Sequence, residues 1–149
     1  MADTYSGATL AVFGSAPASN DATGFGALTF VSGACALREV PGIMREWGKV
    51  TDDLVCQNDS YERKGGAKWA PVTFTLSRIP GDAAQAIYTT LEADRSGVGS
   101  FKLTLSGGDI IYFQAQVSKF ALIDGGSRDT VEGVSVELLI QNTPVYVAA

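Results

Sequence analysis

The residues of this chain that could do chemistry are two cysteines, Cys35 and Cys56, the adjacent carboxylates Asp52-Asp53, and serines that share the chain with a few lysines. No histidine accompanies them. Its absence removes the commonest general acid–base group and the commonest metal ligand together. Two cysteines cannot complete a structural zinc site without further ligands. Serine–lysine catalysis dispenses with histidine, but no local pattern sets a lysine beside a nucleophilic serine. Asp52-Asp53 can be drawn as a cation site, yet neighbouring acids inside a charged stretch are more often a solvated surface. Ser106-Gly-Gly108 leads into a strand and not a helix, so it lacks the ring of amides that cradles phosphate. The residues predict neither an enzyme nor a bound cofactor or metal.

The elements that must position these residues come from one chain of 149 residues, enough for a single domain with a proper core. No apolar run approaches the ~20 residues that span a bilayer, so no membrane anchor is predicted. The start, Met1-Ala-Asp-Thr-Tyr-Ser-Gly7, has neither a basic segment nor an apolar core of a secretory signal. Synthesis in a cytoplasm follows, and with it two reduced thiols, although the spacing of Cys35 and Cys56 would allow a bridge. Asn58-Asp59-Ser60 matches a glycosylation acceptor that has no meaning without secretion. Sixteen acidic residues against eleven basic ones leave a net charge of −5. Gripping DNA takes clustered cations. The nearest such cluster, Arg63-Lys64 with Lys68, has Glu62 beside it. A protein that lets DNA slide past would tolerate this balance.

Along the chain, residues 1–7 form a polar arm and residues 8–13 a strand, followed by a turn-rich connection to Gly24. Residues 26–31 and 34–40 read as two strands joined tightly through Ser32-Gly33 and closed by Pro41-Gly42. From residue 42 to residue 68 the periodicity fades into a long charged loop that allows a short strand around residues 50–55. Twelve charged residues fall between Arg38 and Lys68. Loops of this length in compact domains are functional or disordered, and Trp47 speaks for function, because an indole needs something to pack on. Val72, Phe74 and Leu76 alternate with threonines and serine in the next strand. The helix over 82–94 carries Ala84, Ile87, Tyr88 and Leu91 on one stripe, with Asp82 and Gln85 spaced as a capping box and Gly97 and Gly99 ending it. Strands follow over residues 100–105 and from Asp109 to Lys119, with a bulge near Lys119. A turn at Asp124-Gly-Gly126 leads to a strand over 134–140, and residues 143–149 form an edge-like extended tail. The fold class is mainly β: a β-sandwich, or partial barrel, with one flanking α-helix and a long charged loop, in a single domain over residues 1–149.

Val72-Thr-Phe-Thr-Leu76, Pro41-Gly-Ile43, the charged loop and the passage Arg78-Ile-Pro-Gly-Asp82 occur in an order that resembles the tail tube proteins of long-tailed, non-contractile bacteriophages. The wider fold family takes in contractile inner tubes, tail terminators and the tube protein of type VI secretion. The resemblance implies a non-enzymatic, tail-tube-like building block of the virion tail, assembled in the host cytoplasm. Its partners would be further copies of itself in stacked hexameric rings, other tail proteins at the tube ends, and double-stranded DNA passing through the bore without specific binding. Some members append an immunoglobulin-like domain, for which these residues leave no room. In that family a long loop reaches the neighbouring ring, which makes Arg45, Trp47, Asp52, Asp53, Arg63 and Lys64 the expected inter-ring contacts. Gln114 and Gln116 on one strand, with Glu132 and Glu137 on or beside another, are the expected lining of a neutral to acidic bore. A second reading is a monomeric β-sandwich that decorates a capsid or tail and binds a protein or glycan. An unpaired monomer at high concentration would favour it.

Overall fold

The computed structural model describes residues 4–33, 37–53, 55–56, 60–121, 123 and 125–149. In chain order the elements are β1 (Thr9–Phe13), α1 (Ala22–Gly26), β2 (Val31–Ser32), β3 (Leu37–Glu39), β4 (Arg45–Asp53), β5 (Ser60–Trp69), β6 (Val72–Ser77), α2 (Ala83–Ala93), β7 (Gly99–Thr104), β8 (Ile110–Phe120), β9 (Gly133–Ile140) and β10 (Val145–Val147). Eight strands form one curled half-barrel sheet in the order β2-β1-β7-β8-β9-β6-β3, with β10 laid on β8 beside the start of β9's ladder. The pairings named for this sheet are all antiparallel. β4 and β5 pair only with each other, as a separate two-stranded sheet. The mainly β, partial-barrel class expected from the alternation is the class observed.

Alternation decides what the sheet buries. Val72, Phe74 and Leu76 of β6, Phe101 and Leu103 of β7, Phe113, Ala115 and Val117 of β8, and Val134, Val136 and Leu138 of β9 turn to one core with Leu10 and Val12 of β1. Ala84, Tyr88 and Leu91 of α2 close that core, with Ile87 half-buried at its margin, as the stripe predicts. The helix therefore packs on its own sheet. Rings connect the layers: Tyr88 stacks on Phe101 at 6.2 Å, Phe101 on Phe113 at 5.3 Å, and Phe113 on Phe74 at 6.4 Å. The bulge expected near Lys119 is present as a register shift between Val117 and Lys119. It lets Val117 face Leu138 and Phe120 face Val136 on the core side. β7 starts at Gly99 because a Cβ there would lie 2.6 Å from Leu91 Cδ1 and 3.3 Å from the Phe13 carbonyl oxygen. Gly99→Ala should accordingly lower stability by about 1–3 kcal/mol, the usual cost of overpacking, read from the urea midpoint of unfolding.

Four expectations are corrected. Of residues 26–31 only Val31 is in a strand, β2. The Asp21 carboxylate accepts from the Gly24 N–H at 2.7 Å and starts the single helical turn α1, a second helix the alternation concealed. That bond, with help from Ser19, holds the Asp21 carboxyl below its ordinary value. The turn drives Phe25 into the protein, stacked on Tyr112 at 5.2 Å. The two supposed neighbours on either side of Ser32-Gly33 do not pair with each other: β2 pairs with β1 and β3 with β6, at opposite ends of the sheet. Asp82 precedes α2 without a side-chain cap bond, and Gln85 does not complete a capping box. Gln85 instead donates to the Ser77 carbonyl at 3.0 Å and accepts from the Ile79 N–H at 3.5 Å, holding the helix to the exit of β6. The fourth correction is the stretch from 42 to 68: it is no loop but a long antiparallel β-hairpin. Cys35, Asn58, Asp59 and Asp124 lie outside the described residues, and with them any bridge from Cys35, the acceptor motif and part of the predicted Asp124 turn. Cys56 is exposed as a free thiol.

Candidate assembly surface

The hairpin β4–β5 is the feature that the body of the protein does not explain. Its backbone bonds are satisfied internally, from Arg45 opposite Trp69 to Asp53 opposite Ser60. Its root is fixed: Ile43 and Trp69 pack against the edge of the core, and the Ala70 N–H donates to the Met44 carbonyl at 3.0 Å. Beyond the root nearly every residue of both strands is exposed. A two-stranded ribbon without a third layer is marginal in water, so a long one that lacks cover is a surface built for contact. Five of the nine large apolar side chains exposed among the described residues, Met44, Trp47, Val50, Val55 and Tyr61, belong to this arm or its root. They are spread over both of its faces and along its length, which makes the arm the candidate for contact.

Alternation sorts the arm's side chains onto two faces. Arg45, Trp47, Lys49 and Asp53 share one face with their partners Trp69, Ala67, Lys64 and Ser60, while Val50 and Asp52 share the other with Arg63 and Tyr61. A register shift between Trp47 and Lys49 keeps both halves in phase. Gly65 permits it: a Cβ there would press on Val50 Cγ2 at 3.1 Å and on the Gly48 carbonyl at 3.3 Å. On the first face the cations lie over the indoles. Arg45 sits 4.9 Å from the Trp69 ring and 5.6 Å from the Trp47 ring, and the Lys64 ammonium 5.2 Å from Trp47 on its other flank. Lys49 meets Glu62 at 4.0 Å, and the Ser60 hydroxyl donates to the Asp53 carboxylate. All six residues expected at an inter-ring contact thus fall on this one arm, exposed except for the half-buried Asp52, with Trp47 held by neighbours on its own strands. Val50 and Tyr61, 55% and 48% exposed, are further exposed apolar side chains on the strands of the arm and were not among the expected contacts. Their signal was the weak alternation around residues 50–55 and 60–69.

Of the four residues expected to line a bore, three share one face of the sheet and Glu132 stands apart. Gln114 and Gln116 share the second face of the sheet with Glu137, but Gln114 is only 8% exposed. Its amide donates to Asn20 Oδ1 at 3.1 Å, and Asn20 in turn donates to the Thr143 carbonyl at 3.1 Å, beneath the segment that carries α1. Ser100, beside it, is fully buried and donates to the Ser15 carbonyl at 2.8 Å. The open remainder of that face is mostly polar, with Thr73, Thr75, Ser135, Glu137, Gln116, Lys119 and Lys102, and the half-buried Leu139 lies opposite Gln116. Glu137 accepts from the Ser118 hydroxyl at 3.0 Å. Glu132 precedes β9 and belongs to another cluster, where Arg78 Nη1 meets its carboxylate at 3.1 Å and Arg38 donates to its carbonyl at 2.9 Å. Arg38 also donates to Ser77 Oγ at 3.0 Å, which ties the edge strand β3 to β6 and β9. The sheet ends, β2 and β3, are two and three residues long, as edges that avoid indiscriminate pairing usually are.

Among the described residues no three His, Cys, Asp or Glu side chains gather in a way that could hold a metal ion, and no helix is long and apolar enough to cross a membrane. No protein-family model and no curated protein matches the sequence. Solved structures do match the fold. A chain in the cryo-EM structure of the anti-feeding prophage baseplate, six-fold symmetrised, superposes with a TM-score of 0.71 over 95% of this chain and 92% of that chain, at 7% identity. A chain in the tail of an empty GTA particle, refined helically with C6 symmetry, gives 0.59 over 83% and 90%, at 12% identity. A chain in the cap that terminates the anti-feeding prophage tube gives 0.59 over 99% and 91%, also at 12% identity. At such identities the likeness is one of fold, and the fold is that of components of phage-like tails, baseplates and caps.

Proposed function

We propose that this chain is a structural subunit of a phage tail tube, which binds copies of itself into hexameric rings and stacks the rings around a bore for DNA. The observation that carries the reading is the β4–β5 arm: a long ribbon bearing Trp47, Val50 and Tyr61 in the open, which the subunit cannot cover itself. Neighbouring subunits would cover it, and pairing in a ring would occupy the open ends of the half-barrel sheet. Six-fold symmetry in two of the fold's relatives supports a ring of six. The polar strip of Thr73, Thr75, Gln116, Ser135 and Glu137 is the surface best suited to a wet bore, with Lys119 among its residues and Arg38 at its margin on Ser77. A wall with so few cations gains little from counterion release and leaves DNA free to move.

A related ring protein at a tube end is the second reading, favoured by the likeness to chains from a baseplate and from a terminating cap. Negative-stain imaging of the concentrated protein tests both. Tubes of indefinite length are expected; isolated rings of one thickness would move the assignment to a tube end, and a monomer at millimolar concentration would refute both readings.

A further inference from the structure

The arm is electrically polarised along its length. Its root half, residues 45–49 and 63–69, carries Arg45, Lys49, Arg63, Lys64 and Lys68 against Glu46 alone. Its outer half carries Asp52, Asp53 and Glu62 among the described residues, and the sequence from 50 to 62 has neither lysine nor arginine. The sequence from 45 to 69 is neutral as a whole, so this is segregation and not excess, and it runs through both faces: Lys49 and Lys64 stand rootward of Asp53 on one, Arg63 rootward of Asp52 on the other. The exposed pair Val50 and Tyr61 lies at the boundary. Lys49 and Glu62, at 4.0 Å, meet across that boundary, where the halves touch. Strands advance about 3.3 Å per residue, so charges at the two ends of the arm are too far apart to neutralise each other.

We propose that the acidic outer half of one arm docks on the basic, tryptophan-bearing root of the arm of a second copy. Two arms laid side by side in register would set like charges against like. Displacing one by half its length, with the Val50 face of the tip on the Trp47 face of the root, sets Asp52 against Arg45, Lys49 and Lys64 and presents Val50 and Tyr61 to Trp47 of the neighbour. This contact is head-to-tail: each arm offers a tip to one neighbour and a root to another. Such a contact propagates instead of closing, which is what stacking of rings needs. Mixed charges around an apolar centre fix register and exclude the unshifted pairing. The inference rests on the self-assembly reading and adds to it which surface meets which.

The test is charge reversal in the full chain, read as the fraction of protein sedimenting as assembly. Asp52→Lys with Asp53→Lys and Glu62→Lys reverses the outer half; Lys49→Glu with Arg63→Glu and Lys64→Glu reverses the root. Each set alone should raise the concentration needed for assembly at least tenfold and leave the thermal unfolding midpoint close to that of the parent. The two sets combined restore complementarity and should restore assembly. Raising salt to 1 M, where screening acts within about 3 Å, should weaken assembly of the parent. Single-set variants that assemble like the parent, or a combined variant that stays as defective as either set, would overturn the tip-to-root contact while the self-assembly reading stands. A parent that forms no assembly under any condition would overturn both.

Discussion

Trp47→Ala is expected to give a folded subunit with nearly parental stability that no longer polymerises at concentrations where the parent does. The indole is 44% exposed and stands on the free arm, away from the core. Its intramolecular contacts are the Arg45 guanidinium at 5.6 Å and the Lys64 ammonium at 5.2 Å. Exposed cation–π contacts of this kind contribute about 0.5–1 kcal/mol each, and they act within the arm alone. A tryptophan that anchors an interface carries about 2 kcal/mol or more, close to a 30-fold change in affinity for one contact. In a ring stack the loss recurs at every subunit, so the effect on polymer mass exceeds that on any single contact. Sedimentation of the variant, with its circular dichroism and melting curve as controls, measures this. Assembly at the parental threshold would show that the arm's indole is not an anchor.

The largest loss of stability is expected from Phe113→Ala, about 3–5 kcal/mol. Phe113 has no exposure and lies at the middle of the sheet on β8, opposite Phe101 in the β7–β8 ladder. It stacks on Phe101 at 5.3 Å and on Phe74 at 6.4 Å, so its removal breaks the row of rings at its centre and leaves a void between β6 and β7. Domains of this size are stable by about 5–15 kcal/mol in all, so this one change consumes a large share. Leu91→Ala, buried on α2, belongs to the same class at about 2–5 kcal/mol, with Ile87→Ala at the lower end because Ile87 is half-buried. A urea titration in which Phe113→Ala shifts stability by less than 1 kcal/mol would contradict the core described here.

The central sheet was legible because each of its strands buries one face. Val134, Val136, Leu138 and Ile140 are buried and their neighbours Ser135 and Glu137 are not, so period two appears directly in the residue types. α2 was legible for the same reason at period 3.6. β4 and β5 bury neither face, so their residue types owe little to a core and show only a weak alternation. A free ribbon therefore reads as a charged loop, although its composition already marks it as unusual. α1 was hidden by its length: one helical turn is too short to display a period, and it straddles the turn-rich connection to Gly24 and the start of the strand expected over 26–31.

The surroundings of the lumen candidates were hidden for a different reason. Alternation placed Gln114 and Gln116 correctly on the same side of β8, but it does not say what lies above that side. The segment from Ser15 to Phe30 folds back over one end and takes Gln114 into a hydrogen bond with Asn20, 94 residues away in sequence. Glu132, read as part of a strand face, is drawn aside by Arg78, 54 residues distant. Such partners are 94 and 54 residues apart, and no local pattern encodes them.

By itself, the sequence determined the composition of the layers: which faces are apolar, where the one long helix lies, that histidine chemistry is absent, and that charge concentrates between residues 38 and 68. These are local properties, written in the spacing of residue types. Only the tertiary structure decided that β2 and β3 lie at opposite ends of the sheet, that the charged stretch is a ribbon standing clear of the body, and that its cations gather at the root while its carboxylates gather beyond. The reason is pairing. Hydrogen bonds between β4 and β5 fold a linear alternation of charges back on itself, so Lys49 meets Lys64 and Asp52 meets Tyr61, and a sequence of mixed sign becomes an arm with two poles.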